Sequence, residues 1–174
     1  MLFSKQQNFM MGTLERLGCI REHQLTVMVR QAFCQERPDV APRLVKSAMS
    51  QLEYCNVELE KSGDIYRLRN APENPLLLEA VDVMLQLSGG MPLDFHRARA
   101  PMLLHFSVQE FKVRCFAVAR YSAELYSMDF PRSERIILLF DGQGQPQTLP
   151  VPNKQFIAVR QEDGSHRFFA RGGK

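Results

Sequence analysis

Residues 57–69 read VELEKSGDIYRLR, two runs of alternating apolar and polar residues around a polar turn that contains glycine. Alternation with a period of two is typical of a strand buried on one face, and Gly63 can adopt the positive φ that a tight turn requires. The stretch therefore predicts a β-hairpin with strands at 57–60 and 65–69 and a turn at 61–64.

Three helices are predicted ahead of the hairpin. Apolar residues recur at helical spacing over 4–17, 25–36 and 40–54, and Cys19-Ile20 is long enough for a short strand between the first two helices. Ser4 is expected to cap the first helix and Gly18 to end it. Helix, strand, helix, helix and hairpin is the order of a winged helix, a helix-turn-helix variant whose hairpin is the wing.

The second half of the chain predicts a different kind of domain. A polar, proline-containing joint at 70–75 separates a winged-helix domain at 1–70 from an α+β domain at 76–170. Residues 76–88 predict one apolar helix, and five later runs predict strands of a small sheet, at 102–108, 111–119, 136–140, 156–159 and 166–169. Because the run 136–140 is apolar throughout, it predicts a strand covered on both faces. The fold class is therefore α+β.

The polar face of the third helix is the candidate surface for double-stranded DNA. In a helix-turn-helix domain this helix lies in the major groove, where arginine can bind guanine and glutamine can bind adenine. Basic side chains of the hairpin are candidates for phosphate contacts. The predicted DNA-binding residues are Arg43, Lys46, Ser47, Ser50 and Gln51 on the helix, and Lys61, Arg67 and Arg69 on the hairpin.

The charge of the chain permits DNA binding without requiring it. The 174 residues carry a net charge of +3, and residues 1–70 hold ten basic and eight acidic side chains. Domains that depend on phosphate contacts are usually more basic.

An alternative is that the winged helix is a docking platform for a protein. A homodimer, or a protein partner bound through the second domain, is also expected, since pairing two modules raises their effective concentration.

A second alternative is a metal-dependent nuclease centred on Glu110 and Lys112. Glu110-Phe111-Lys112 matches the Glu-x-Lys half of a pattern in which two carboxylates hold a cation, with Asp94 or Asp82 as the missing acid. The match is short, and Glu110 falls at a predicted hairpin tip. We therefore predict no catalytic residue, no metal ligand and no cofactor, and we expect the four cysteines to be buried and inert.

The sequence contains no run of apolar residues long enough to cross a membrane, and its first residues lack the apolar core of a secretory signal. We therefore expect a cytoplasmic protein with no membrane partner.

Three stretches resemble a known family, namely LERLGCI at 14–20, QLEYC at 51–55 and GDIYRL at 63–68. They are similar to winged-helix proteins of the replication-relaxation type, which bacterial plasmids and conjugative elements carry. The apolar helix and the segment ERIIL at 134–138 are similar in layout to the degenerate nuclease-like domain of such proteins. The resemblance covers most of the chain. It implies an accessory, DNA-associated role in a mobile genetic element, with no catalytic residues to carry over.

Overall fold

The computed structural model describes residues 3–55 and 58–171, which divide into two compact units, Met1–Leu78 and Glu79–Lys174. Over the described residues the chain contains four α-helices and two β-sheets. The predicted α+β class is confirmed.

The first unit contains the elements that the sequence predicts, in the predicted order. They are α1 (Lys5–Leu17), β1 (Cys19–Arg21), α2 (Glu22–Phe33), a 3-10 turn (Pro38–Val40), α3 (Ala41–Cys55), β2 (Leu59–Ser62) and β3 (Ile65–Leu68). Helix α2 ends three residues before the predicted position. Val57, which the sequence assigns to the first strand of the hairpin, lies outside the described residues.

Local signals set both ends of helix α1. The Ser4 hydroxyl accepts a hydrogen bond from the Gln7 N–H at 3.1 Å, and the Gln7 side chain accepts one from the Ser4 N–H at 2.9 Å. This reciprocal pair satisfies two backbone donors that a helix start leaves without partners. At the other end Gly18, with φ of 82°, donates its N–H to the Leu14 carbonyl. The predicted cap and end of α1 are confirmed.

The hairpin belongs to a three-stranded antiparallel sheet in which β3 lies between β1 and β2. Gly63 has φ of 60°, the conformation for which the turn needs glycine. The three helices bury their apolar faces with this sheet. The largest fully buried side chains of the unit are Met10, Leu14, Leu17, Ile20, Leu25, Met28, Met49, Leu52, Leu77 and Leu78.

The second unit is built on a six-stranded sheet in the order β4-β5-β6-β7-β8-β9. Helix α4 (Pro75–Ser88) precedes the sheet and contains the boundary between the two units. The strands are β4 (Asp94–Arg97), β5 (Met102–Gln109), β6 (Val113–Arg120), β7 (Arg135–Phe140), β8 (Gln155–Arg160) and β9 (His166–Arg171). Strand β7 pairs in parallel with β6 and β8, whereas the other neighbours are antiparallel.

Strand β7 is buried over Ile136–Leu139, as expected of a strand covered on both faces. A parallel pair needs a crossover connection, and the segments 121–134 and 141–154 make the two connections of β7. Their apolar side chains share one core with the sheet. Its buried members are Met102, Ala117, Ala119, Leu125, Phe130, Ile136, Leu138 and Leu149.

Helix α4 is tied to strand β9 by polar contacts at both ends of its second-unit portion. Gln86 exchanges two hydrogen bonds with the backbone of His166, at 2.7 and 2.8 Å. The His166 ring nitrogen Nε2 lies 3.2 Å from a carboxylate oxygen of Glu79. The contact with Glu79 therefore gives the buried His166 side chain a partner at Nε2, while its Nδ1 has none among the described residues.

The structure adds one strand to those that the sequence predicts and corrects one expectation. Only Phe95 of the four residues of β4 is buried, so the sequence gives no signal for this strand, which pairs with β5. The cysteines are not all buried, since Cys55 and Cys115 are exposed while Cys19 and Cys34 are internal. Across residues 3–55 and 58–171, none of the helices has both the length and the apolar character that crossing a bilayer requires.

Candidate functional site

The predicted DNA-reading residues lie together on the outer face of α3. Val45, Ala48, Met49 and Leu52 are buried on one side of this helix. The five polar residues, Arg43, Lys46, Ser47, Ser50 and Gln51, are all exposed. The 3.6-residue period of an α-helix produces this separation, so the amphipathic pattern of the sequence is carried into the surface of the first unit. We call these five residues the α3 row.

The predicted residues of the hairpin occupy both of its strands. Lys61 on β2 and Arg69 just after β3 are exposed, and Arg67 on β3 is half-buried. In the hairpin register Lys61 stands opposite Tyr66, and Arg67 stands opposite Glu60. The three cations therefore do not form an uninterrupted basic surface, because Glu60 lies among them on the same pair of strands.

Glu22, the first residue of α2, joins the α3 row to the hairpin. Its carboxylate lies 2.7 Å from the Lys61 ammonium and 3.6 Å from the Lys46 ammonium. The Tyr66 hydroxyl donates a hydrogen bond to the same carboxylate at 3.1 Å, and the Lys61 ammonium lies 4.9 Å from the Tyr66 ring centre. The structure thus brings Lys46 and Lys61 together around one acid.

The hydrogen bond between Lys61 and Glu22 perturbs both groups in opposite directions. It holds the pKa of the Glu22 carboxyl below its ordinary value, and it raises the pKa of the Lys61 ammonium. Both shifts favour the charged forms, so the pair remains ionised across the neutral range. Glu22 also lies in the first turn of α2, where a negative charge interacts favourably with the helix dipole.

A second acid holds the other two hairpin cations. Glu60 lies 2.9 Å from an Arg67 nitrogen through one carboxylate oxygen and 2.9 Å from the Arg69 Nε through the other. Four of the five predicted cations are therefore paired with Glu22 or Glu60. Among the residues that the structure describes, Arg43 has no ion-pair partner.

Sequence reasoning identified the cations and missed the groups that hold them. The sequence assigns no role to Glu22, because its partner Lys61 lies 39 residues away in the chain. Gln51 also has an unforeseen partner, since its side-chain oxygen accepts a hydrogen bond of 2.9 Å from Gln7 on α1. The one local signal that could have pointed to Glu22 is its position as an acid at the start of α2.

The structure gives the nuclease alternative no supporting geometry. Glu110 and Lys112 lie in the exposed turn between β5 and β6, and Glu110 pairs with Arg114. Phe111 between them is fully exposed. Within residues 3–55 and 58–171, no three side chains of His, Cys, Asp or Glu are arranged to hold a metal ion.

No protein-family model, no curated protein and no solved structure matches this chain. The resemblance to replication-relaxation proteins is therefore still a prediction that rests on the three stretches quoted above.

Proposed function

We propose that the first unit is a winged helix that binds double-stranded DNA through the α3 row, with the β2–β3 hairpin as its wing. One observation carries the proposal: the α3 row is exposed along its whole length in a unit whose elements follow the order of that fold. A recognition helix must present polar side chains to base edges, and a row buried in the unit could not do so.

Each part of the surface has a separate role in this proposal. Arg43, near the start of α3, is unpaired within the described part of the chain and is the candidate for a bidentate contact with guanine. Lys46 and Lys61 are candidates for phosphate contacts. Exposed ion pairs contribute only about 0–1 kcal/mol, so a phosphate group can replace Glu22 as the partner of either lysine at little cost.

The docking-platform alternative keeps one observation in its favour. Glu22 and Glu60 form ion pairs with four of the five cations and offset two of their charges, which weakens the attraction of this surface for phosphate. Against it, the α3 row is polar, whereas a protein-docking face is expected to present an apolar patch. We therefore place DNA binding first.

The wider context belongs to the same proposal. A role in a mobile genetic element and a location in the cytoplasm rest on the sequence alone. Self-association through the second unit is supported by apolar side chains exposed at one end of its sheet, at Met91, Leu93, Phe111 and Val113. Light scattering on the full chain measures whether it is a dimer.

The proposal is tested by the substitution Arg43→Ala in the full chain. We expect affinity for a fluorescent 30-base-pair duplex to fall by about tenfold, since a good bidentate base contact contributes about 1–3 kcal/mol. Fluorescence anisotropy at several salt concentrations measures both the affinity and its salt dependence. If Arg43 contacts a phosphate instead, the slope of log K against log salt falls by about 0.9.

Arg99→Ala is the matched control, because Arg99 is an exposed arginine of the second unit. It is expected to leave both the affinity and the salt slope unchanged. Unmodified protein that shows no salt-sensitive binding to any duplex would rule out the DNA proposal. The docking-platform alternative would then be the better account of the α3 row.

A further inference from the structure

The second unit contains a cavity of about 420 Å³ that has no part in the proposed DNA surface and shares only Asp94 with the nuclease alternative. Its lining comes from strands β4, β5 and β6 and from the crossover segment 121–134. Met102, Met128 and Phe130 supply an apolar wall, and Glu134 lies at the end of the crossover, just before β7. We call it the Glu134 cavity.

The backbone of Glu134 and one of its carboxylate oxygens have hydrogen-bond partners, and the other oxygen has none among the described residues. It is 8% exposed, its N–H donates to the Pro131 carbonyl at 2.9 Å, and its carbonyl accepts a hydrogen bond from the buried Asn153 side chain at 2.9 Å. One carboxylate oxygen, Oε1, lies 2.8 Å from the Nδ1 of His105. The other oxygen, Oε2, is buried and has no hydrogen-bond partner among the described residues. A buried carboxylate oxygen without a partner costs free energy unless a ligand supplies a donor.

The position of His105 follows from the sheet register. His105 on β5 stands opposite Ala117 on β6, and Ala117 stands beside Ile136 on β7. The small side chain of Ala117 leaves room above β6, so His105 and Glu134 meet across that strand. The ring of His96 stacks on the His105 ring with centres 5.4 Å apart, which restricts its rotation.

The contact with His105 uses Oε1 of Glu134 and leaves Oε2 as the oxygen without a partner among the described residues. Oε2 therefore requires an N–H or O–H donor from whatever enters the cavity.

The lining contains three carboxyl groups, the two histidines His96 and His105, and no permanent cation. Asp94, Asp129 and Glu134 contribute carboxyl groups, and neither lysine nor arginine is among the lining residues. Low-dielectric walls strengthen the field of such groups within a cleft. A ligand with positive charge and several N–H donors matches this lining, and an anion does not.

We propose that the Glu134 cavity binds a small organic cation, an amidinium, guanidinium or ammonium group on an apolar body. The charged group donates to Oε2 of Glu134, and the apolar body lies against Met102, Met128 and Phe130. The site is independent of the α3 row, because every residue that lines it belongs to the second unit.

The test uses benzamidine as the probe and its neutral analogue benzamide as the control, with the full chain. Cys115 lines the cavity and is exposed, so a bound probe should shield its thiol from N-ethylmaleimide. Cys55 is an exposed cysteine of the other unit and serves as the internal reference. We expect saturating benzamidine to slow modification of Cys115 at least threefold relative to Cys55, as measured by peptide mass spectrometry, and benzamide to have no effect.

Glu134→Gln keeps the shape of the side chain and removes its charge. We expect it to raise the benzamidine concentration for half-maximal protection at least tenfold, while Glu124→Gln, an exposed acid that does not line the cavity, changes nothing. Circular dichroism checks that the Glu134→Gln chain folds. If it does not, Asp129→Asn at an exposed position is the second variant and is expected to raise this concentration two- to threefold. Equal protection by benzamide, no protection by benzamidine, or full protection in a folded Glu134→Gln or Asp129→Asn chain would overturn the proposal.

Discussion

At the scale of single residues, Glu22 controls the charge of the candidate DNA surface more directly than any of its cations. One carboxylate forms ion pairs with both Lys46 and Lys61, and it carries the same sign of charge as a phosphate. Glu22 thereby lowers the positive charge of the surface that the α3 row and the hairpin form. A residue that lowers affinity in this way can keep a binding protein from occupying every duplex it meets.

The substitution Glu22→Gln is expected to tighten DNA binding about threefold, because it removes a like charge and frees both lysines for phosphate. Fluorescence anisotropy with a fixed duplex measures the change, and the salt slope should steepen with it. Glu15→Gln on α1 is the control, since Glu15 is an exposed acid away from the α3 row. Weaker binding by Glu22→Gln would mean that Glu22 positions the lysines rather than competing for them.

The residues of the α3 row could be predicted from the sequence, but their partners could not. Helical periodicity decides which side chains are exposed, and it is visible within a window of about 11–18 residues. The contact of Lys61 with Glu22 depends on two elements that meet only when the unit folds. The same holds for His105 and Glu134, which are 29 residues apart and meet across an intervening strand.

At the scale of elements, the hairpin and α1 were predicted well because their signals are local. The turn of the hairpin needs a residue with positive φ, and the ends of α1 need a capping side chain and a glycine. Strand β4 has no comparable signal, since Phe95 is its single buried residue and is flanked by the exposed Asp94 and His96. Its strand conformation depends on antiparallel pairing with β5.

Replacing glycine by alanine is expected to change the free energy of unfolding in opposite directions at two positions of the first unit. Gly63→Ala is expected to destabilise the hairpin by about 1–2 kcal/mol, because alanine is strained at φ of 60° although its Cβ would meet no atom within 4 Å. Gly12→Ala is expected to stabilise α1 by about 0.5–1 kcal/mol, because this position is helical and equally open. Urea unfolding of both variants measures the two shifts. Similar effects from the two changes would contradict the account of the turn.

At the scale of the whole molecule, the strand order of the second unit lay beyond sequence reasoning. The sequence identified the strands β5 to β9 and the covered character of β7. It offered no means to deduce that β7 pairs in parallel with both neighbours, since pairing partners are set by packing across the sheet. The mixed sheet is therefore a finding of the structure alone.

The contact of Glu79 with His166 is expected to make the stability of the second unit depend on pH. The hydrogen bond with His166 is the main cause that holds the pKa of Glu79 below its ordinary value of 4.5. A carboxyl whose pKa is lowered by folding contributes stability above its unfolded pKa and loses it as pH falls through the folded pKa. Glu79→Gln should therefore cost about 1–2 kcal/mol at pH 7 and progressively less below pH 4.5.

Urea unfolding followed by circular dichroism at pH 7 and at pH 3 measures this difference. Glu162→Gln is the control, because Glu162 is exposed in the turn between β8 and β9. Its effect should stay within about 0.5 kcal/mol at both pH values, as is usual for surface substitutions. A cost of Glu79→Gln that is equal at the two pH values would show that shape rather than charge matters at this position.

Both connections of β7 cover the same face of the sheet, because consecutive parallel strands joined by crossovers of one hand place those crossovers on one side. The strands of the second unit form the sheet, and the two connecting segments 121–134 and 141–154 form a separate layer over it. Several residues of 128–134 line the Glu134 cavity, so substitutions in this connection are expected to reshape the cavity while every strand keeps its register.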